Sequence, residues 1–135
     1  MEASWDSSNG ILNAKENINP KKEEFIMPFN DTWNFLQENL LPGTEIENWT
    51  VDHGYFNNHI KVESLSANRI SFSTPTARYI QNVPKDHFRM VYEIWREYNN
   101  HQYLWHLIRD NITRYSRYII SSFKWVEDNN NGTLP

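Results

Sequence analysis

The sequence predicts an α+β domain: an N-terminal helix, a three- to four-stranded antiparallel meander, and a C-terminal half of two long helices and one short helix. Three observations carry this reading. Between His59 and Ser73 apolar and polar residues alternate, the period of a half-buried strand. Phe88, Val91, Tyr92, Trp95 and Tyr98 recur at three- and four-residue steps, as do Tyr115, Ile119, Phe123 and Val126, the spacing of one helical face. The strand patterns come first and the long helical patterns follow, an order that separates α+β from interleaved α/β folds.

Taken in order, residues 1–24 are polar, without an apolar period, and read as a flexible tail in which Trp5, Ile11 and Leu12 could dock. A single domain is expected over residues 25–128, with a frayed end at 129–135. Asn30 or Asp31 is placed to cap a helix reaching Leu40, with Trp33, Leu36 and Leu40 on its buried stripe. Leu41-Pro42-Gly43 ends it. Ile46–Val51 follows as a strand, Asp52-His53-Gly54 and Asn57-Asn58 as turns, and His59–Leu65 as a strand with Ile60 and Val62 facing inward. Ser66-Ala67-Asn68 turns the chain into Arg69–Ser73, and Thr76–Ile80 reads as a short edge strand after Pro75. Pro84 suits the first position of a helix running to Tyr98, with Asp86 in its first turn and Asn99-Asn100 at its end. Gln102–Arg109 reads as a short helix. Thr113 or Asn111 would cap the last helix, Thr113–Val126.

Composition bounds the function. At 135 residues one domain is expected. Aromatics make up 15% of the chain, which points to a core built around rings. The absence of cysteine excludes disulfides and thiolate metal sites. No apolar run is long enough to span a bilayer and no basic-then-apolar leader opens the chain, so a cytoplasmic protein without a membrane partner is expected. Asn30, Asn48, Asn111 and Asn131 begin N-x-S/T triplets, read as chance matches in an Asn-rich chain. The net charge of −4 divides into −7 over residues 1–60 and +3 over residues 61–135. Such a split marks either a basic binding face or two halves that complement each other.

Enzyme signatures are missing. There is no G-x-S-x-G elbow, no phosphate-cradling glycine loop and no H-E-x-x-H, so no catalytic residue, metal or cofactor is assigned and the chain is read as a non-enzyme. His101 and His106 are five apart and do not share a helical face. Asp52, His53 and His59 lie near a turn and read as turn and solvent residues rather than metal ligands. Glu93 and Glu97 stand one helical turn apart beside Arg89 and Arg96, the pattern of surface ion pairs. Lys61-Val62-Glu63 reverses the order that a carboxylate-and-lysine nuclease needs.

Two constellations point to binding. Arg109, Arg114, Arg117 and Lys124 fall on the last two helices with Tyr115 and Tyr118 between them. Guanidiniums fork onto phosphates and exposed rings stack on bases, so nucleic acid is the first-ranked partner. Two helices joined by a turn, with Ser116 and Arg117 on the open side of the second, resemble a helix-turn-helix reader. The competing reading has arginine stems covering apolar surface while their heads meet Glu93, Glu97 and Asp110. The second constellation is Tyr79, Tyr92, Trp95, Tyr98, Tyr103 and Trp105, which could line a small-molecule pocket or form an interface with a second copy or a protein partner. The blocks Val91-Tyr92-Glu93-Ile94-Trp95-Arg96-Glu97-Tyr98 and Ser116-Arg117-Tyr118-Ile119-Ile120 resemble segments of small uncharacterised bacterial proteins carried on integron-type mobile gene cassettes. That resemblance implies a bacterial cytoplasmic protein and transfers no residue role.

Overall fold

The structure, a computed structural model, describes residues 26–130 and 134. The predicted tail of residues 1–24 lies outside them. Four strands and five helices stand among the described residues: α1 (Phe29–Asn39), β1 (Glu45–Thr50), β2 (Gly54–Ser66), β3 (Arg69–Ser73), β4 (Gln81–Pro84), α2 (Lys85–Glu93), α3 (Trp95–Asn99), α4 (Trp105–Asn111) and α5 (Ser116–Asn129). The strands form one antiparallel sheet in the order β1-β2-β3-β4, so the predicted α+β class holds. No helix among the described residues is long and apolar enough to cross a membrane.

Several elements begin or end for a local reason. α1 starts at Phe29, because extended Pro28 sets the entry and its carbonyl accepts the Thr32 N–H at 3.0 Å. The expected caps Asn30 and Asp31 sit inside the first turn, where Asp31 still meets the positive end of the helix dipole. Gly43, at φ +92°, turns the chain toward β1, and Gly54, at φ +83°, opens β2 after the turn at 51–53; both conformations are open to glycine at little cost. Thr76–Ile80, expected as the edge strand, is a loop; Gln81–Pro84 pairs with β3 instead. Pro84 ends that strand and immediately precedes α2, so strand and helix join without a loop.

The expected Pro84–Tyr98 helix breaks at Ile94 (φ −114°, ψ 14°) into α2 and α3. Tertiary contacts override local propensity here. Trp95 donates its indole N–H to Glu127 at 3.0 Å, and the Tyr98 hydroxyl accepts the Val51 N–H at 2.9 Å. After α3 the left-handed residue is His101 (φ +62°) rather than Asn99 or Asn100. The short helix falls at Trp105–Asn111, later than Gln102–Arg109, and the last helix at Ser116–Asn129, later than Thr113–Val126. Thr113 accepts the Tyr115 N–H at 3.0 Å and so caps the turn before α5 rather than the helix itself.

The sheet buries Ile46, Ile60, Val62, Ile70, Phe72 and Val83 beneath the helices. α5 packs on β1 and also touches α1, α2 and α4. It is therefore buried nearly all round: Tyr118, Ile119, Ile120, Phe123 and Val126, with Ser116, Ser121 and Ser122 between them. Small serines permit the close approach, and Ser121 accepts the Trp49 N–H at 3.0 Å. Leu134, expected in the frayed end, is buried at 4% exposure.

Candidate ligand-binding groove

The meander is irregular in one informative place. Tyr55 pairs with Trp49 and His59 with Glu47, so Asn48 alone on β1 faces Phe56, Asn57 and Asn58 on β2. Two extra residues bulge out of β2. The Asn57-Asn58 pair, expected as a turn, lies within a continuous strand. Bulges bend a strand and re-aim its side chains. Asn58 consequently lines the grooves that open around this point.

The first groove, of about 390 Å³, is lined by Asn48, Thr50, Phe56, Asn58, Trp105 and Arg117. A second, of about 270 Å³, shares Asn48, Asn58 and Arg117 and continues past His59 and Ile60 to Thr74 and Thr76. Arg117 thus stands where the two meet. A third groove continues round the end of β3 through Asn58, His59, Thr74 and Pro75, and there Glu45, Lys61 and Glu63 join the lining. Glu45, Lys61 and Ser73 are cross-strand neighbours on the sheet face opposite the buried Ile46 and Ile60. Ser73 donates to the Glu63 carboxylate, and Lys61 lies 4.0 Å from it.

Each ring of the first groove has a neighbour packed on it. His53 stacks on Phe56 at 3.9 Å with the planes 2° apart. The Arg109 guanidinium sits 4.8 Å from the Trp105 ring centre, and Asp110 holds that guanidinium through bonds of 2.9 and 3.3 Å. The hydrogen bond from Arg109 keeps the Asp110 carboxyl below the usual carboxylate range. His101 bonds Asp52 at 2.8 Å, tying the link that leads to Trp105 onto the β1–β2 turn.

The predicted cations divide sharply. Arg109 belongs to Asp110 and Trp105. Arg114 bonds the Tyr115 hydroxyl at 2.9 Å and lies over that ring at 5.0 Å. Lys124 pairs with Asp128 at 3.5 Å and lies 5.0 Å from the Trp49 ring. Arg117 is the only one of the four with no ion pair, hydrogen bond or ring contact among the described residues, and it is exposed. It also sits in the first turn of α5, which carries no acid. A cation there meets the positive end of the helix dipole, an unfavourable placement of roughly 0.3–1 kcal/mol.

The predicted rings divide too. Tyr118 is 8% exposed and stacks on Phe72 at 5.4 Å, so it is core and not an open stacking surface. Tyr115 is half-buried beside His87. Ser116, placed on the open side by the helix-turn-helix comparison, is buried because α5 is enclosed. Of the expected pocket rings, Trp95 and Tyr98 are fully buried, packed on Trp49 and on each other. Tyr92 packs on Phe29 and Phe123, Tyr103 is half-buried against the core, and Tyr79 is exposed on the loop before β4. Trp105 alone among them lines the groove. The sequence reading missed Phe56, Asn48 and Asn58. An Asn pair interrupting a strand pattern was the available signal for a bulge.

Among the described residues no three His, Cys, Asp or Glu side chains are arranged to hold a metal; Asp52 meets His101, and His53 stacks on Phe56. No protein-family model matches the sequence, nor does any curated protein or solved structure.

Proposed function

We propose that this chain is a non-enzymatic binding protein for a small ligand that carries one anionic group and one flat apolar part. The observation that carries the reading is Arg117. It is open, unpaired and adversely placed for α5, and it lies at the junction of two grooves beside two braced rings. Stability does not account for a cation there; an anionic ligand does. Groove volumes of about 390 and 270 Å³ are near the small-molecule range, roughly 300–1,000 Å³. The lining offers amides, hydroxyls, rings and one guanidinium, groups that hold and orient a ligand. Trp105 and Phe56 are already fixed by Arg109 and His53, which lowers the ordering cost of binding.

A nucleic-acid backbone, the partner class suggested by the basic helices, asks for several free cations along one face. Of the four assigned to it, one is free, which favours a small ligand. The test is thermal unfolding of the full chain with phenyl phosphate, benzoate, inorganic phosphate and mixed-sequence duplex DNA at low salt. A ligand specific to the folded form raises the melting temperature. Phenyl phosphate or benzoate is expected to raise it, and Arg117→Ala to remove the shift. A shift with DNA alone, or one that survives Arg117→Ala, overturns the reading.

A further inference from the structure

The groove at Arg117 suits any flat anion; its two asparagines narrow the class. We infer that the flat part is a nucleobase and the ligand a nucleoside monophosphate, an inference that rests on the groove reading above. Asn58 reaches the groove because of the two-residue bulge, is exposed, and has no hydrogen-bond partner among the described residues. A side-chain amide presents a donor beside an acceptor. That pair matches the edge of a base, as in asparagine against the N6 and N7 of adenine, and has nothing to match on a plain aryl ring. Asn48 stands opposite the same bulge, and its carbonyl oxygen faces the Ser121 hydroxyl at 3.4 Å, which leaves the amide N–H groups for a ring acceptor. Phe56 and Trp105 line the same cavity as these amides, so stacking and edge recognition act on one ring.

The remainder of the molecule follows from the order of the lining. Base, sugar and phosphate are joined in that order, so the sugar falls where the two grooves meet, and Arg117, which lines both, forks onto the one phosphate beyond it. The far groove supplies the Thr74 and Thr76 hydroxyls and His59, polar partners suited to that phosphate. The path then runs into a lining that contains Glu45 and Glu63. A second phosphate would meet two carboxylates, one of them already tied to Ser73 and facing the nearby lysine. One anionic group is therefore accommodated and a polyphosphate or a longer strand is opposed.

Calorimetric titration of the full chain tests this with AMP, GMP, CMP and UMP against phenyl phosphate, ribose 5-phosphate and the four matching diphosphates. At least one monophosphate is expected to bind about ten-fold or more tighter than phenyl phosphate, ribose 5-phosphate or its diphosphate counterpart, the discrimination a base-edge contact supplies. Asn58→Ala should bring that monophosphate to the phenyl phosphate level, while Arg117→Ala weakens both. Asn58→Asp, which keeps the size and places a carboxylate near the phosphate, should weaken the monophosphate further. An unchanged melting temperature of each variant certifies its fold. If phenyl phosphate equals every monophosphate, or Asn58→Ala keeps the preference, the nucleotide assignment fails and the groove reading stands. If no phosphate and no benzoate binds, both fail.

Discussion

Tyr98 sits at the meeting point of fold and groove. Its ring is fully buried and its hydroxyl accepts the Val51 N–H at the start of the β1–β2 turn. Burial, opposed by that hydrogen bond and reinforced by the nearby Asp52 charge, pushes its ionisation up to about 12. Tyr55, buried in part and bonded to Asp128, is likewise pushed up to about 12. An unfolded tyrosine ionises near 10. Both groups are therefore raised on folding, so their contribution is fully present below about pH 10 and lost as pH rises toward about 12. Urea unfolding across the alkaline range should show stability falling in that window. The Tyr55→Phe/Tyr98→Phe double variant should fall less steeply there. At neutral pH Tyr98→Phe should cost about 1 kcal/mol, because the Val51 N–H loses its acceptor. A parallel alkaline decline in parent and double variant would contradict the argument.

At the scale of elements, the bulge in β2 governs the groove. Between the Trp49–Tyr55 and Glu47–His59 pairs β1 has one residue and β2 has three. Deleting Asn57 and Asn58 together leaves one against one and keeps the alternation of faces on both sides. The deletion variant should fold with a melting temperature equal to or above the parent, since a regular ladder replaces unpaired backbone. It should also lose the preference for a nucleoside monophosphate over phenyl phosphate, because Asn58 leaves the lining. Deletion of Asn57 alone should be destabilising, because one residue flips every side chain beyond it. Melting temperatures of the two variants separate these outcomes. The same element explains what the sequence could and could not disclose. Alternation through Ile60, Val62, Ile70 and Phe72 placed the meander correctly, because a half-buried strand must repeat every two residues. The bulge at Asn57-Asn58 and the one at Glu63, which returns Leu65 to the inner face with Val62, interrupt that period and leave no simple pattern. The helix break at Ile94 has no glycine or proline to signal it and is fixed by the distant Glu127 and Val51. Arg109, Arg114, Arg117 and Lys124 look equivalent in the sequence. Asp110, Tyr115 and Asp128 lie one or four residues away, yet only the folded geometry decides which cation each engages.

Across the whole molecule, one cluster of rings joins the helices to the sheet. Phe123 on α5 meets Phe88, Tyr92 and Trp95 edge-on, with ring centres 5.9, 6.3 and 5.4 Å apart. Trp95 leads on to Trp49 at 6.3 Å, and Phe88 to Trp33 at 5.1 Å, so α1, α2, α3, α5 and β1 share one core. Edge-to-face pairs add to the area buried by each ring. Five helices and four strands built on a shared core should unfold together. Phe123→Ala leaves a cavity at the hub and should cost about 3–5 kcal/mol, a large part of the roughly 5–15 kcal/mol that holds a domain of this size. The groove lies at the periphery of this cluster, where Asn48, Asn58 and Arg117 take no part in ring packing. Substitutions there and at Phe123 should therefore separate in kind. Phe123→Ala should lower the denaturation midpoint with fluorescence and circular dichroism changing together, whereas Arg117→Ala should leave it within about 0.5 kcal/mol or raise it slightly, as relief of the dipole conflict requires. Non-coincident transitions in Phe123→Ala would mean that sheet and helices hold separate cores. A marked loss of stability in Arg117→Ala would mean that the guanidinium supports the fold, and the binding role drawn from its isolation would go with it.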